Sequence, residues 1–272
     1  MSVSYTAGYE AGTSYPLNHA RFLWNPFTAT VTSSGEADGH PANRVVVPDT
    51  STWWLSTTGS ATRTLTLDFS QLRSIDSVGL AGHNLGGQAL LIQGATDVGL
   101  TTWVTLADLD PTDDSTILAL FAAGNYYGVR LTATVVDVDE ATKISVVYAG
   151  AALVMPVRGY NDLGPIDLGM EVGINTYRTE TGQIAGRFVD YAGLMGNLSF
   201  SHLPEPWVRS TLIPFLKGAI TTPFFVATRP SGYPDDCAYA WTTENVIPQR
   251  MRLKNYMSIQ MKVHAHAPVS LF

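Results

Sequence analysis

Arg63-Thr-Leu-Thr-Leu-Asp-Phe69 places Leu65, Leu67 and Phe69 on one side of an extended chain and Thr64, Thr66 and Asp68 on the other. Successive side chains of a strand point to opposite faces, so a period of two marks a half-buried β-strand. The same period returns in Ser77–Ala81 and Ala89–Gln93. It returns again in Tyr127–Val136, through Val129, Leu131, Ala133 and Val135, and in Lys143–Tyr148, through Ile144, Val146 and Tyr148. Turn-rich stretches, Gly82-His-Asn-Leu-Gly-Gly87 and Gly94-Ala-Thr-Asp97, fall between these runs. Gly and Asn supply the positive φ that tight turns need. Short strands separated by turn signals predict a sandwich or jelly roll and argue against a βαβ fold.

From Leu153 the texture changes. Met155-Pro-Val-Arg158 and the Gly- and Pro-containing run from Gly159 to Gly169 read as a linker into a new unit. Glu171–Arg178, Ile184–Tyr191, Gly196–Ser201, Phe224–Thr228 and Tyr256–His264 are strand-like. One short helix is expected around Trp207–Leu212, opened by Pro204 and Pro206 and ended by Gly218, with Pro214 limiting its regularity. The predicted architecture is mainly β. It comprises an N-terminal arm over 1–20, a jelly-roll β-sandwich over 21–152, and a β-barrel or sandwich with one short helix over 153–272.

Composition narrows the partners. Of 272 residues, 14% are charged and 45% hydrophobic, which excludes a disordered chain or a highly charged helical bundle. Sixteen basic residues against 23 acidic, with no basic cluster, argue against binding a phosphate backbone. Cys237 is the only cysteine, so no internal disulfide or zinc knuckle is expected. No basic start followed by an apolar run marks a secretory signal, and the longest apolar stretch, Val146–Val157, is broken by Gly150 and Pro156. A soluble chain made in a cytoplasm, without membrane insertion, is the expectation.

Little in the sequence points to catalysis. There is no GxSxG elbow and no P-loop, and the Gly82–Gly87 run fits neither phosphate-binding pattern. His264 and His266 would share one face of a strand and offer two metal ligands, with His202 as a conceivable third; surface or interface histidines are the alternative. Asp108–Asp114 and Asp137–Glu140 hold the densest carboxylates and read as calcium-capable or simply solvated loops, while Asp235-Asp236 reads as a turn. No spacing specifies a pair of glycosidase carboxylates. The expectation is therefore a non-enzyme with no cofactor and no metal. Trp53-Trp54 is the one aromatic pair weighed as a carbohydrate platform, against ordinary packing. Adjacent residues face opposite sides of a strand, so at most one of the two indoles would be free.

The order Pro41-Ala-Asn-Arg44, Trp53-Trp54, Leu65–Phe69, Ile75-Asp-Ser-Val-Gly-Leu-Ala-Gly-His-Asn-Leu-Gly86, Ile92-Gln-Gly-Ala-Thr-Asp97 and Trp103 resembles the galactose-binding-like (discoidin-type) jelly roll over about half the chain. Gly186–Tyr191, Leu198–Phe200, Trp207–Phe215 and Pro223-Phe-Phe-Val226 look like the helix-then-strand layout of siphophage distal tail and tail-hub proteins. That second resemblance implies a virion structural role without catalysis. It also implies a homo-oligomeric sixfold ring, with tail-tube and tail-tip proteins as partners. The assembly would be built in a host cytoplasm and work in the phage tail. Here the jelly roll comes first, the reverse of the familiar order. The first resemblance implies the alternative, a receptor-binding protein that holds a cell-surface glycan through the jelly-roll loops.

Overall fold

The computed structural model describes residues 3–6, 9, 15–159, 165–166, 168–252 and 254–267. The described residues are mainly β, with two antiparallel-dominated sheets, a 3-10 turn over Ala42–Val46 and a short helical stretch in the second half. The first sheet runs β4 (Trp54–Leu55), β9 (Lys143–Gly150), β5 (Thr62–His83), β8 (Ile117–Thr134), β6 (Ala89–Ala95), β7 (Trp103–Leu109). β3 (Thr30–Ser33) adds to β5, and β1 (Val3–Tyr5) pairs in parallel with β8. The expected strands Arg63–Phe69 and Ser77–Ala81 are two ends of the single strand β5. A register break between Asp68 and Arg73, with Ser70 at φ 57°, bends it so that both ends pair with β8. The alternating faces meet in one core that includes Trp54, Leu65, Leu67, Phe69, Leu90, Ile92, Val129 and Leu131.

The second sheet runs β10 (Leu153–Val154), β2 (Arg21–Leu23), β13 (Phe224–Ala227), β14 (Cys237–Thr242), β16 (Tyr256–Ala265), β12 (Ile184–Pro204), β11 (Met170–Arg178), with β15 (Gln249–Arg250) beside β16. Its helical layer is α1 (Glu205–Trp207), a π-turn over Val208–Leu212, and α2 (Ile213–Ala219). Pro214 explains the interruption: it has no N–H to donate and its ring crowds the preceding turn, so the helix widens just before it. Val208, Leu212 and Phe215 from this layer pack on Phe22, Phe200, Phe224 and Met261.

Two expected boundaries move. β2 was assigned to the jelly roll but pairs with β13 and β10 in the second sheet, because Phe22 completes the helix-side core. The expected N-terminal arm is, in its described residues, packed rather than free: Val3, Tyr9, Leu17 and Ala20 are all buried. Residues 160–164 and 167 of the expected linker lie outside the described residues. Ile166 in that stretch is buried, and its N–H donates to the Asp236 carboxylate at 2.8 Å.

A third core fuses the two sheets. Leu23, Phe225, Ala227, Cys237 and Tyr239 from the second sheet meet Ala81, Leu118, Leu120, Val146 and Tyr148 from the first. Gly79 makes room for this contact. A Cβ built on it would lie 2.7 Å from the Phe225 ring. Gly79→Ala should therefore lower stability by about 1–3 kcal/mol through overpacking, read as a lower urea midpoint, with Phe225→Leu in the same chain restoring part of the loss. An unchanged midpoint for the single variant would show that the sheets are not held in this register.

Candidate functional site

Trp53 and Trp54 separate as strand alternation requires. Trp54 is 1% exposed in the jelly-roll core, its indole N–H donating to the Gly35 carbonyl at 3.2 Å, which withdraws it as a sugar platform. Trp53 is half-buried. Its ring stacks on His40, with centroids 5.0 Å apart, and the Lys143 ammonium sits 4.3 Å from the ring centre. Some indole surface remains at this end of the sandwich, but the ring already has partners.

Three carboxylates of the acidic loops are engaged by backbone N–H groups. Asp113 accepts from the Ser115 N–H at 2.9 Å, Asp114 from the Gly86 N–H at 2.9 Å, and Asp137 from the Asp139 N–H at 2.9 Å. The Asp113 and Asp137 bonds hold Asx-type turns, and the Asp114 bond ties its loop to the Gly86 turn. Among the described residues, no three His, Cys, Asp or Glu side chains converge to hold a metal. His202, at φ 61°, packs against Tyr256, while His264 pairs with the Glu171 carboxylate. The Gly82–Gly87 run is the expected tight turn, with Gly82 and Gly87 at φ 65° and 78°.

That turn also buries His83. Loss of water pushes its imidazole down from 6.5 to about 4, partly offset by Asp114 and Asp113, and its Nδ1 accepts from the Leu85 N–H at 3.3 Å. Burial lowers His266 as well, with Lys143 acting in the same direction. Both histidines are neutral when folded at neutral pH.

The side chains that reach solvent in a concerted way lie elsewhere, on β11 and β12. Beyond Leu194 these strands leave the body of the sheet as a two-stranded ribbon paired only with each other. One face carries Val172, Ile174, Val189 and Ile184; the other carries Tyr191, Phe188 and Tyr177. These side chains are more than a third exposed, and Ile184, Val189, Phe188 and Tyr177 are 60–63% exposed. At the root of the aromatic face is a cleft of about 580 Å³ lined by Trp241, Tyr191, Glu171, His264, His266, and the small residues Ala192, Gly193 and Ala265. Trp241 stacks on His264, and the Glu171 carboxylate bonds His264 Nδ1 across β12, where Gly193 carries no side chain. Sequence reading missed Trp241. Its signal was the alternation Cys237, Tyr239, Trp241, one face of a strand whose first two members are covered by the jelly roll and whose third runs past it.

No family profile and no curated protein matches the chain. Solved structures do. Chitosan-binding module 1 of a Paenibacillus chitosanase/glucanase is 20% identical, covering 46% of this chain and 96% of its own, with a TM-score of 0.42. The family 32 carbohydrate-binding module of C. perfringens NanJ, solved with galactose, is 13% identical, covering 48% of this chain and 98% of its own, with a TM-score of 0.41. A pectin-binding module is 19% identical over 49% of this chain and 98% of its own, with a TM-score of 0.40. All three are carbohydrate-binding modules, and each is similar to less than half of this chain. No contact residue is carried over from them.

His83 gives the site region a testable acid response. Its folded pKa lies below its unfolded value, so the unfolded state takes up the proton first as pH falls through 6.5, and the native state loses stability until about 4. The loss through His83 is about 3 kcal/mol. Asp76, held up by burial, acts in the opposite sense at the acid end of that window. Thermal melts between about pH 7 and pH 4.5 should therefore show a slope that His83→Gln flattens. An equal slope in both proteins would place the acid sensitivity elsewhere.

Proposed function

We propose that this protein is a non-catalytic structural protein that assembles with copies of itself through the β11–β12 ribbon. The observation that carries this reading is one face of that ribbon, where Val172, Ile174, Val189 and Ile184 are exposed beside Thr176 and Arg187, beyond the point at which β12 leaves β16. An isolated two-stranded ribbon is marginal in water, and contiguous exposed apolar surface marks an interaction site. A protruding arm and a fixed body form a heterologous contact. Such contacts close into rings when the rotation per copy allows. The resemblance of the second half to siphophage tail-hub proteins supplies the setting. In that setting the ring sits in a virion tail, assembled in the host cytoplasm, between tail-tube and tail-tip proteins. The carbohydrate-binding modules named above do not bear on that setting. Light scattering of the purified chain should report a closed oligomer, and Val189→Asp should return it to a monomer that is still folded by circular dichroism, with a melting temperature lowered by no more than the loss of association explains. A monomer at every concentration tested would overturn the reading.

A second reading is favoured by Trp53. A half-buried indole, with the Lys143 ammonium over its ring and His40 stacked on it at the end of a galactose-binding-like jelly roll, would meet a glycan through its remaining exposed surface and the Lys143 donor. Here the protein would be a receptor-binding component. Binding to a glycan array that disappears with Trp53→Ala supports it, and binding that survives this change removes the jelly-roll site.

A further inference from the structure

We infer that the aromatic face of the ribbon and the cleft at its root form a saccharide-binding surface on the second unit, distinct from the jelly-roll loops. The inference extends the glycan reading to a different place, and it does not require the ring. Register and contacts place four rings on one face: Trp241 on β14, then Tyr191, Phe188 and Tyr177 out along the ribbon. Tyr177 and Phe188 meet edge to face, with centroids 5.6 Å apart, and Tyr191 lies over Gly173, where a Cβ would come within 2.3 Å of its ring. The exposed rings follow one another along this face, and those whose flat sides remain open offer stacking surface to the C–H side of a pyranose ring.

The polar groups sit where the track meets the body. Glu171 and His264 are partly buried, bonded to each other, and flanked by Trp241 and Tyr191. The Tyr191 hydroxyl lies 3.5 Å from Glu171 Oε1. A carboxylate joined to an imidazole presents acceptor and donor capacity side by side, the pattern a pair of neighbouring sugar hydroxyls satisfies. A cleft of about 580 Å³ is within the range of small-ligand sites, with aromatic walls and a few convergent polar groups. Two features separate this surface from its alternatives. Interface cores between protein copies are depleted of charge, yet the centre of this cleft is an ion-pairing group. Among the described residues Glu171 is the one carboxylate lining the cleft, so they supply no second carboxylate for the paired acid and base of glycoside hydrolysis, and the role inferred for the surface is binding. The occupant is a neutral oligosaccharide, read by stacking along the ribbon and by hydroxyl contacts at Glu171 and His264.

The test uses the full chain and three variants on a broad glycan array. Saturation-transfer NMR follows with the best-binding neutral oligosaccharide, and with the methyl glycosides of galactose, glucose and N-acetylglucosamine. Trp241→Ala should weaken binding at least about tenfold, or ~1.4 kcal/mol, and Glu171→Gln should weaken it measurably, while Trp53→Ala leaves it unchanged. Trp241 is exposed, so its loss should not unfold the chain, and equal melting temperatures control for that. Three outcomes overturn the inference: no saccharide binds, binding is lost with Trp53→Ala but kept with Trp241→Ala, or Trp241→Ala changes only the oligomer mass. The oligomer mass is read separately, so failure here is distinguishable from failure of the assembly reading.

Discussion

Strands β9 and β13 are apolar on both sides, and the rest of the architecture follows from how that surface is buried. Phe224 and Val226 face the helical layer, while Phe225 and Ala227 face the jelly roll; Ile144 and Val147 turn into the jelly-roll core, while Val146 and Tyr148 turn toward the second sheet. Neither strand could lie at a solvated surface without exposing a row of side chains each worth about 1.5–3 kcal/mol on burial. The molecule is thus a stack of sandwich core, seam, and sheet-on-helix core, in which the middle layer removes the independence that two separate domains would have. Gly79 under Phe225 is the point at which the two sheets approach closely enough for that layer to stay dry.

An apolar seam is costly for polar groups caught in it, and several at this junction are hydrogen-bonded. The fully buried Arg21 donates to the Tyr9 hydroxyl at 3.1 Å and to the carbonyls of His19 and Tyr15 at 2.8 and 3.0 Å. Asp76 accepts the Ala152 N–H at 2.7 Å, although burial still holds its carboxyl above the usual range. Tyr148 donates to the Pro223 carbonyl at 3.1 Å, and burial pushes both Tyr148 and Tyr239 up. Buried polar groups left unpaired cost about 1–3 kcal/mol each. These bonds let the N-terminal segment and the strand after it be drawn into the junction rather than trail from it.

The sequence conveyed strand positions better than strand membership. Leu65, Leu67 and Phe69 are buried on one face as their alternation predicted, and Met257, Ile259, Met261 and Val263 behave likewise. The pairing of β2 was not legible because Arg21-Phe22-Leu23 is too short to carry a period, and its partners lie more than 120 residues away in the chain, where local pattern has no reach. β14 escaped notice because Ala238 and Ala240 read as filler until the helical layer above them is known. For the Trp pair, alternation implies that at most one ring is free, and Trp54 is the one buried. Alternation could not reveal that Trp53 already rests against His40 and Lys143, since both contacts close through other loops. Glu171 and His264 meet across a glycine-bare stretch of β12, a juxtaposition that exists only once β11, β12 and β16 are laid side by side.

The ribbon shows why register matters more than composition at the functional surface. Its two faces differ in kind, aliphatic on one and aromatic on the other, and side chains on a strand alternate with a period of two. A slip of one residue in β11 against β12 would flip the β11 side chains, turning Glu171 and Tyr177 away from His264 and the β12 aromatics and putting Val172 and Ile174 on that face instead. Two-stranded ribbons have little to prevent such a slip on their own. Here the register is anchored at the root, where Leu194 is buried opposite Ala265 and Met170 pairs with Leu194. A break between Gly173 and Ile174 then adds a residue to the β12 side just above the cleft. That bulge increases the local twist and re-aims the outer ribbon without disturbing the pairs at its base. The segregation of its two faces, and with it any division of labour between assembly and ligand, therefore rests on a few buried residues at the point where the ribbon leaves the sheet.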